Sequence, residues 1–345
     1  MKASTAWLYV SALVVGVCLA SHLAMAFTLW PLPYALTTGN SVVSLSATQF
    51  KITTSSSSTV LQAAIQRYQT QILFPFASSG TRSGAPVLAT LNVTVSSDSQ
   101  NLQLGVDESY SLSVTSGSST RATLSAATIF GAMRGLETFS QLVDFDANSM
   151  TYAITQTPLT VTDQPRFAWR GLLIDTARHY LSVDTIYRTL DAMSYSKFNT
   201  LHWHAVDAES FPVEIDAYPQ LANKGAWAPT ATYDPTDIAN VVQYALERGI
   251  RVVMEFDMPG HAYSWGKGYS NLTAVCPSYA SNINNIPLDP TQPFTYSVIQ
   301  AIIAQMASLT PDYCMHIGGD EVITGCWMQG SHLPLDPTVR PAISS

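Results

Sequence analysis

The stretch Cys314 to Glu321 (CMHIGGDE) holds the residues best suited to chemistry: an apolar run, two glycines and two adjacent acids. Glycines let a backbone turn sharply or let another group come close. Adjacent carboxylates resist ionising together, so one tends to keep its proton, as a general acid near neutral pH must. The run predicts a short buried strand, with Cys314 as a small interior hydrophobe and the acids at the strand's end. The plain alternative is a solvated Asp-Glu pair, and the surrounding chain has to decide between them.

The elements that must position this pair alternate in a regular rhythm. Gly171 to Asp175, Thr200 to His204, Arg251 to Glu255 and Cys314 to Gly318 read as four apolar strands. Helical stripes separate them: Ile186, Leu190 and Met193; then Ile238, Val241, Val242, Ala245 and Leu246, stopped by Gly249; then Val298, Ile302 and Met306. Repeated strand–helix units imply a parallel sheet, because parallel neighbours need crossover connections. Polar residues gather just after each strand: Asp175 to His179, Asp207, Asp257 to His261, and Asp320 with Glu321. In a barrel of alternating strands and helices these strand ends meet on one face, where active sites are built.

Before Asp163 the pattern is that of a small α+β domain, expected over 27–163. Val87, Ala89, Leu91, Val93 and Val95 alternate as one strand, and Tyr110, Leu112 and Val114 as another. Leu61, Ile65, Tyr68 and Ile72 form one helical face, and Ile129, Met133, Leu136 and Phe139 a second. This part carries no obvious chemistry and reads as scaffold. The sequence DQPR at 163–166 marks the boundary, since proline discourages continuation of a helix or strand. The fold class is therefore α/β: the N-terminal half of a (β/α)8 barrel at 164–345, preceded by the α+β domain. A full barrel takes about 250 residues, so the chain is expected to be incomplete as a barrel.

The chain has 345 residues, 12% of them charged, with 24 acids against 16 bases for a net charge of -8. That balance argues against a nucleic-acid binder, which needs a basic face. It suits a neutral or cationic small substrate. Residues 1–26 read as a secretory signal, with the AMA sequence at 24–26 as the cleavage site; an uncleaved membrane anchor is the alternative. Asn92 and Asn271 stand in N-x-T sequons. Cys276 and Cys326 both lie in loop-like surroundings, where a bridge and two free thiols are both open readings. In the chain-entropy account a bridge over that span is worth roughly 4 kcal/mol.

Several ordered motifs resemble glycoside hydrolase family 20, the β-N-acetylhexosaminidases. They are Trp169 to Tyr180 (WRGLLIDTARHY), His202 to Asp207 (HWHAVD) with Ser210 to Pro212 (SFP), Glu255 to His261 (EFDMPGH) with Ser264 to Gly266 (SWG), and His316 to Val322 (HIGGDEV). Asp107 to Tyr110 (DESY) and Gly135 to Phe139 (GLETF) resemble the family's non-catalytic companion domain.

The resemblance implies retaining, substrate-assisted hydrolysis of terminal β-linked N-acetylhexosamine, from glycans or chitooligosaccharides. Glu321 is then the general acid and Asp320 the residue that orients the sugar's 2-acetamido group. Asp207 and His261 form a relay to the acid, Arg178 grips sugar hydroxyls, and His204 joins a network at the barrel mouth. This chemistry is outside the usual two-carboxylate scheme. It needs no cofactor. His202 and His204 point to one side of their strand, but no third ligand stands at a metal-like spacing, so no metal is expected. Asp175 and Asp257 read as supports, and Trp203 and Trp265 as core or wall.

The resemblance also implies a Cys276–Cys326 bridge and a homodimer in the full-length form, while the signal points to the secretory pathway, with an extracellular or a lysosomal or vacuolar location both open. The chain departs from the family at Ala208-Glu209, where Asp-Gln is common. The tryptophans, tyrosine and further acid of the family's later strands have no counterpart in this sequence. Little turnover is expected from the chain as written, and a non-catalytic glycan-binding product is the alternative.

Overall fold

The computed structural model describes residues 29–328. The expected signal at 1–26 and the proline-containing tail past 328 lie outside the described residues. The first part of the chain supplies ten strands: β1 (Ala35–Thr37), β2 (Ser41–Leu45), β3 (Lys51–Thr54), β4 (Val87–Leu88), β5 (Thr90–Ser97), β6 (Tyr110–Val114), β7 (Ala122–Thr128), β8 (Asp144–Asp146), β9 (Thr151–Thr157) and β10 (Leu159–Asp163). They form a six-stranded sheet in the order β1-β10-β6-β7-β5-β3 and a four-stranded sheet in the order β4-β2-β9-β8.

The strand expected from Val87 to Val95 divides at Ala89. Its first two residues pair with β2, and the rest runs between β3 and β7. Alternation of apolar residues cannot register that break, because both halves keep one side chain inward. Of the two expected helical faces, the second packs on the larger sheet and the first packs against the second helix. Ile129, Met133, Leu136 and Phe139 are all buried in the helix Ile129–Leu142, whose Thr128 hydroxyl accepts from Gly131 N–H at 3.1 Å.

Beyond Asp163 three parallel strands follow, β11 (Gly171–Asp175), β12 (Thr200–Val206) and β13 (Arg251–Phe256), side by side in that order. The helices between them bury the predicted stripes: Ile186, Leu190 and Met193 in Val183–Tyr195, and Ile238, Val241 and Ala245 in Pro235–Leu246. The second of these starts on a capping box between Asp234 and Asp237 with Pro235 at its first position. Val298, Ile302 and Met306 are buried in Pro293–Leu309.

The fourth expected strand is reduced to a single bridge between Glu255 and His316. His316 N–H donates to Met254 O at 2.9 Å, and Met258 N–H donates to Ile317 O at 3.0 Å. Among the described residues nothing pairs with the other side of this segment, so it lies at an edge, with Cys314, His316 and Ile317 exposed and Met315 packed on the core. Cys314 is accordingly exposed rather than buried. No helix among the described residues is long and apolar enough to cross a membrane.

The base of the parallel sheet is tied to the first sheet by buried charges. Glu108, just before β6, meets Arg134 Nε at 3.1 Å, Arg170 Nη2, and the Asn199 amide at 2.9 Å. Arg134 in turn donates to Gly249 O at 2.6 Å. Arg170, Asn199 and Gly249 sit immediately upstream of β11, β12 and β13, so one carboxylate anchors all three strand starts. Burial alone would raise the Glu108 carboxyl, but the two guanidiniums outweigh it and hold it below the usual range. Lys197 adds a second tie, donating to Tyr110 OH at 2.9 Å and Thr138 Oγ1 at 2.6 Å, with Asp163 Oδ2 at 3.2 Å. The DESY and GLETF stretches thus supply the interface. Replacing Glu108 by Gln strands two buried cations; urea unfolding should show a loss of about 3–5 kcal/mol.

Candidate active site

The C-terminal ends of the three strands hold a chain of buried acids and imidazoles. Parallel register sets His204 of β12 opposite Glu255 of β13. Period-two geometry then brings His202 to the same side. Glu255 Oε2 accepts from His202 Nε2 and lies 2.8 Å from His204 Nδ1. The β12–β13 register slips between His204 and Val206, a local irregularity of the kind that re-aims the residues beyond it. Asp207 thereby turns back on its own strand, and His204 Nε2 donates to its Oδ2 at 2.7 Å. Asp207 Oδ1 accepts from His261 Nδ1 at 2.9 Å. His261 Nε2 then faces Glu321 Oε2 at 3.3 Å.

Four members of the chain, His204, Glu255, Asp207 and His261, are biased by their neighbours. Burial would lower His204, but hydrogen bonds to Asp207 and Glu255 overrule it and raise it to about 10. Burial likewise opposes ionisation of Glu255, yet the hydrogen bond and charge of His204, with a further hydrogen bond from His202, bring it down to about 2. Asp207 is held well below the usual carboxylate range: burial works against this, and the hydrogen bonds from His204 and His261 prevail. The Asp207 hydrogen bond raises His261 against the opposing effect of burial. The result is an alternation of anion, cation and anion in the interior, which satisfies the rule that buried charges must be paired.

The loops are shaped to deliver these groups. Asp175 Oδ1 accepts from the backbone N–H of Ala177 and Arg178, at 3.1 and 3.0 Å, and folds the loop after β11. Ser210 donates to Ala177 O at 2.6 Å and Ser264 to Asp207 O at 2.6 Å, locking three loops together. Arg178 meets Asp175 Oδ2 at 2.9 Å, Asp207 Oδ2 at 3.0 Å and Glu209 Oε2 at 3.3 Å.

The acid pair follows a turn that only glycine can make. Gly318 has φ +69°, and a Cβ there would stand 1.9 Å from Asp257 Oδ1. Gly319 N–H donates to the same oxygen at 3.0 Å. Asp257 is therefore a support for the acidic loop, as expected. His261 and Glu321 both adopt positive φ, 52° and 43°, a conformation L residues avoid and that gathers at functional sites.

The structure brings Asp207, His261, Glu321, His204 and Arg178 together. Asp320 and Glu321 are both exposed, Glu321 to 76% of its side chain, and the expected buried strand leading into them is corrected by the exposure of Cys314, His316 and Ile317. His179, expected among the polar cluster, is exposed. Trp203 and Trp265 are fully buried, and Trp203 donates to Thr176 Oγ1 at 2.8 Å. Cys276 and Cys326 form a disulfide, with Cα atoms 5.2 Å apart. Asn92 and Asn271 are exposed.

Sequence reasoning missed Glu255 as the hub of the network and missed His316 beside it. An acid ending β13, in register with a histidine ending β12, was the available signal. His202, Glu255 and His316 do bring three donor atoms within 4.8 Å of one another, the third ligand that spacing failed to reveal. Those atoms are already committed, however. His316 Nδ1 accepts from Gly318 N–H at 3.1 Å, and Glu255 holds two imidazoles. Zinc bonds of about 2.0–2.1 Å would require breaking these contacts, so the set reads as a hydrogen-bonded network.

Two measurements follow from this geometry. A group raised in the folded state stabilises fully below its unfolded value and loses that contribution as pH rises through the folded one. The unfolding free energy should therefore fall from the ordinary histidine value of 6.5 up to about 10, and His204→Gln should shrink that slope in urea titrations at stepped pH. Gly318→Ala should cost about 1–3 kcal/mol from positive φ alone, more with the Asp257 clash, read as a drop in midpoint denaturant.

Comparison with known proteins adds a family to this geometry. Residues 167–334 match the description "Glycosyl hydrolase family 20, catalytic domain", and residues 29–142 match "beta-acetyl hexosaminidase like". The chain is 45% identical to beta-hexosaminidase subunit A1 of Dictyostelium discoideum over 299 residues, covering 87% of this chain and 55% of that protein. It is 42% identical over 320 residues to beta-hexosaminidase 1 of Arabidopsis thaliana, covering 88% of this chain and 58% of that protein. Among solved structures, a Vibrio harveyi exo β-N-acetylglucosaminidase in complex with N-acetylglucosamine aligns with a TM-score of 0.71 at 25% identity, over 92% of this chain and 50% of that one. The chain thus spans little more than half the length of these curated relatives. With the strand-end histidine–carboxylate network and the matching motifs together, the chain belongs to glycosyl hydrolase family 20.

Proposed function

We propose that the protein removes terminal β-linked N-acetylhexosamine residues from glycans or chitooligosaccharides, by a retaining route in which the substrate's own acetamide is the nucleophile. The observation that carries this reading is the Asp207–His261 pair directed at Glu321, at 2.9 and 3.3 Å. Glu321 protonates the glycosidic oxygen as the C1–O bond breaks, and the acetamide carbonyl oxygen bonds to C1. Water then opens the resulting oxazolinium ion, giving a proton to Glu321. His261, oriented by Asp207, stabilises whichever charge state Glu321 holds. Asp320 orients the acetamide and offsets the positive charge that grows on it. Arg178 supplies N–H donors to the sugar hydroxyls.

The Cys276–Cys326 disulfide supports a secretory-pathway protein, since disulfides persist in oxidising compartments. Glycosylation at the exposed Asn92 and Asn271 belongs to the same reading.

A second reading, glycan binding without turnover, is favoured by one observation. Asp320 and Glu321 stand in solvent, whereas acyl-type and glycosyl transfer benefit from a water-excluded site. An aryl N-acetyl-β-glucosaminide separates the two. Under the hydrolase reading it is cleaved, Glu321→Gln lowers kcat by about 10²–10⁴, and the matching aryl glucoside without the acetamide is left intact. Saturable binding with no cleavage supports the second reading. Equal cleavage of both glycosides overturns the acetamide mechanism.

A further inference from the structure

The six-stranded sheet buries one face under the helix Ile129–Leu142 and presents the other to solvent. Register carries five polar side chains across the outer face in one rank: Thr53 of β3, Asn92 of β5, Thr123 of β7, Ser113 of β6 and Thr160 of β10. Two residues further along the strands, Thr94, Ser125, Ser111 and Thr162 form a second rank. All are exposed except the half-buried Ser113, while Leu91, Val93, Leu112 and Leu124 between them are buried. Neither rank holds a charge. Such a face offers hydroxyls that donate or accept, and covering it strips no ion of its water.

Asn92 opens the sequon NVT at 92–94 and stands inside the first rank. Its Oδ1 accepts from Thr53 Oγ1 at 3.4 Å, which leaves Nδ2, the atom that carries an N-glycan, on the side away from β3. Past the second rank the face dips into a trough of about 550 Å³, lined by Ser96, Ser111, Ser125, Ala126, Thr162 and Tyr34. That volume is ordinary for a ligand cleft. Tyr34 is 67% exposed, although its backbone N–H is fixed on Asp163 Oδ1 at 3.0 Å. The Asp163 carboxylate at the end of the trough is already held by Lys197 and Tyr110. Four residues of strand separate Asn92 from Ser96, roughly 13 Å, a span that a short oligosaccharide covers.

We propose that the glycan on Asn92 folds back over this face, with its inner sugars across the second rank and the following ones in the trough against Tyr34. The inference rests on the reading of Asn92 as glycosylated. A pyranose matches both parts of the surface. Its hydroxyl edge meets Ser125, Ser111 and Thr162, and its apolar C–H face covers the Tyr34 ring. The covalent tether keeps the sugars at an effective concentration in the millimolar range, so contacts too weak for a free sugar suffice. The outer face of the sheet is thereby closed to other partners.

The test uses the full chain secreted from a eukaryotic host with a 13C-labelled glycan. Mass spectrometry reads occupancy at Asn92. NMR should show cross-relaxation between sugar protons and the Tyr34 ring, whose signals are assigned by their loss in Tyr34→Ala. An endoglycosidase that cuts between the first two sugars should trim Asn92 at least about tenfold more slowly in the native chain than after heat denaturation, and Tyr34→Ala should remove most of that protection. An unoccupied Asn92 overturns the glycosylation reading and the proposal together. An occupied Asn92 whose sugar resonances are as narrow as those of the released glycan, without contact to Tyr34, overturns the proposal and leaves glycosylation standing. Protection that Tyr34→Ala leaves unchanged also overturns it.

Discussion

A protonated imidazole wedged between two buried carboxylates is the constraint from which the site follows. Moving a single ion into a protein interior costs several kcal/mol, and removing one partner of a buried pair is worse than never having buried it. His204 answers that cost for Glu255 on one side and Asp207 on the other. Because Asp207 must stay ionised, it orients His261, and His261 presents its remaining nitrogen to Glu321. The backbone yields to this requirement in two places, the register slip after His204 and the left-handed conformation of His261. Strain of that kind persists only where surrounding contacts over-determine it.

The two ends of the parallel sheet divide the labour. At the strand starts Glu108 gathers Arg134, Arg170 and Asn199, a buried cluster that fixes where β11, β12 and β13 begin. At the strand ends the loops are mutually hydrogen-bonded and rich in ionisable groups. Anchoring at one end lets the other end carry strained, charged geometry, in the pattern expected of a strand–helix barrel. The residues before Asp163 therefore act as scaffold in an energetic sense: Glu108, Tyr110, Arg134 and Thr138 hold the starts of the parallel strands.

Much of this was legible in the residues. Helical stripes such as Ile186, Leu190 and Met193 depend only on local period and burial, and they pack as their spacing dictates. The clustering of Asp207, His261 and Glu321 followed from strand-end logic, which does not need atomic detail. The break at Ala89 was invisible, because alternation survives a change of sheet. Cys314 misled for a different reason: apolar character marks a strand, but burial depends on what lies on its far side. Glu255 escaped notice because its importance is set by register with β12, a tertiary quantity absent from any single strand.

The account stands on the charge of His204, and nitrogen NMR of the imidazole rings addresses it most directly. In 15N-labelled protein, His204 should keep both ring protons from neutral pH up to about 10, with coupling to N–H at Nδ1 and Nε2 alike. A His204 ring that loses a proton near the ordinary 6.5 would contradict the buried imidazolium and, with it, the ordering of Asp207 and His261.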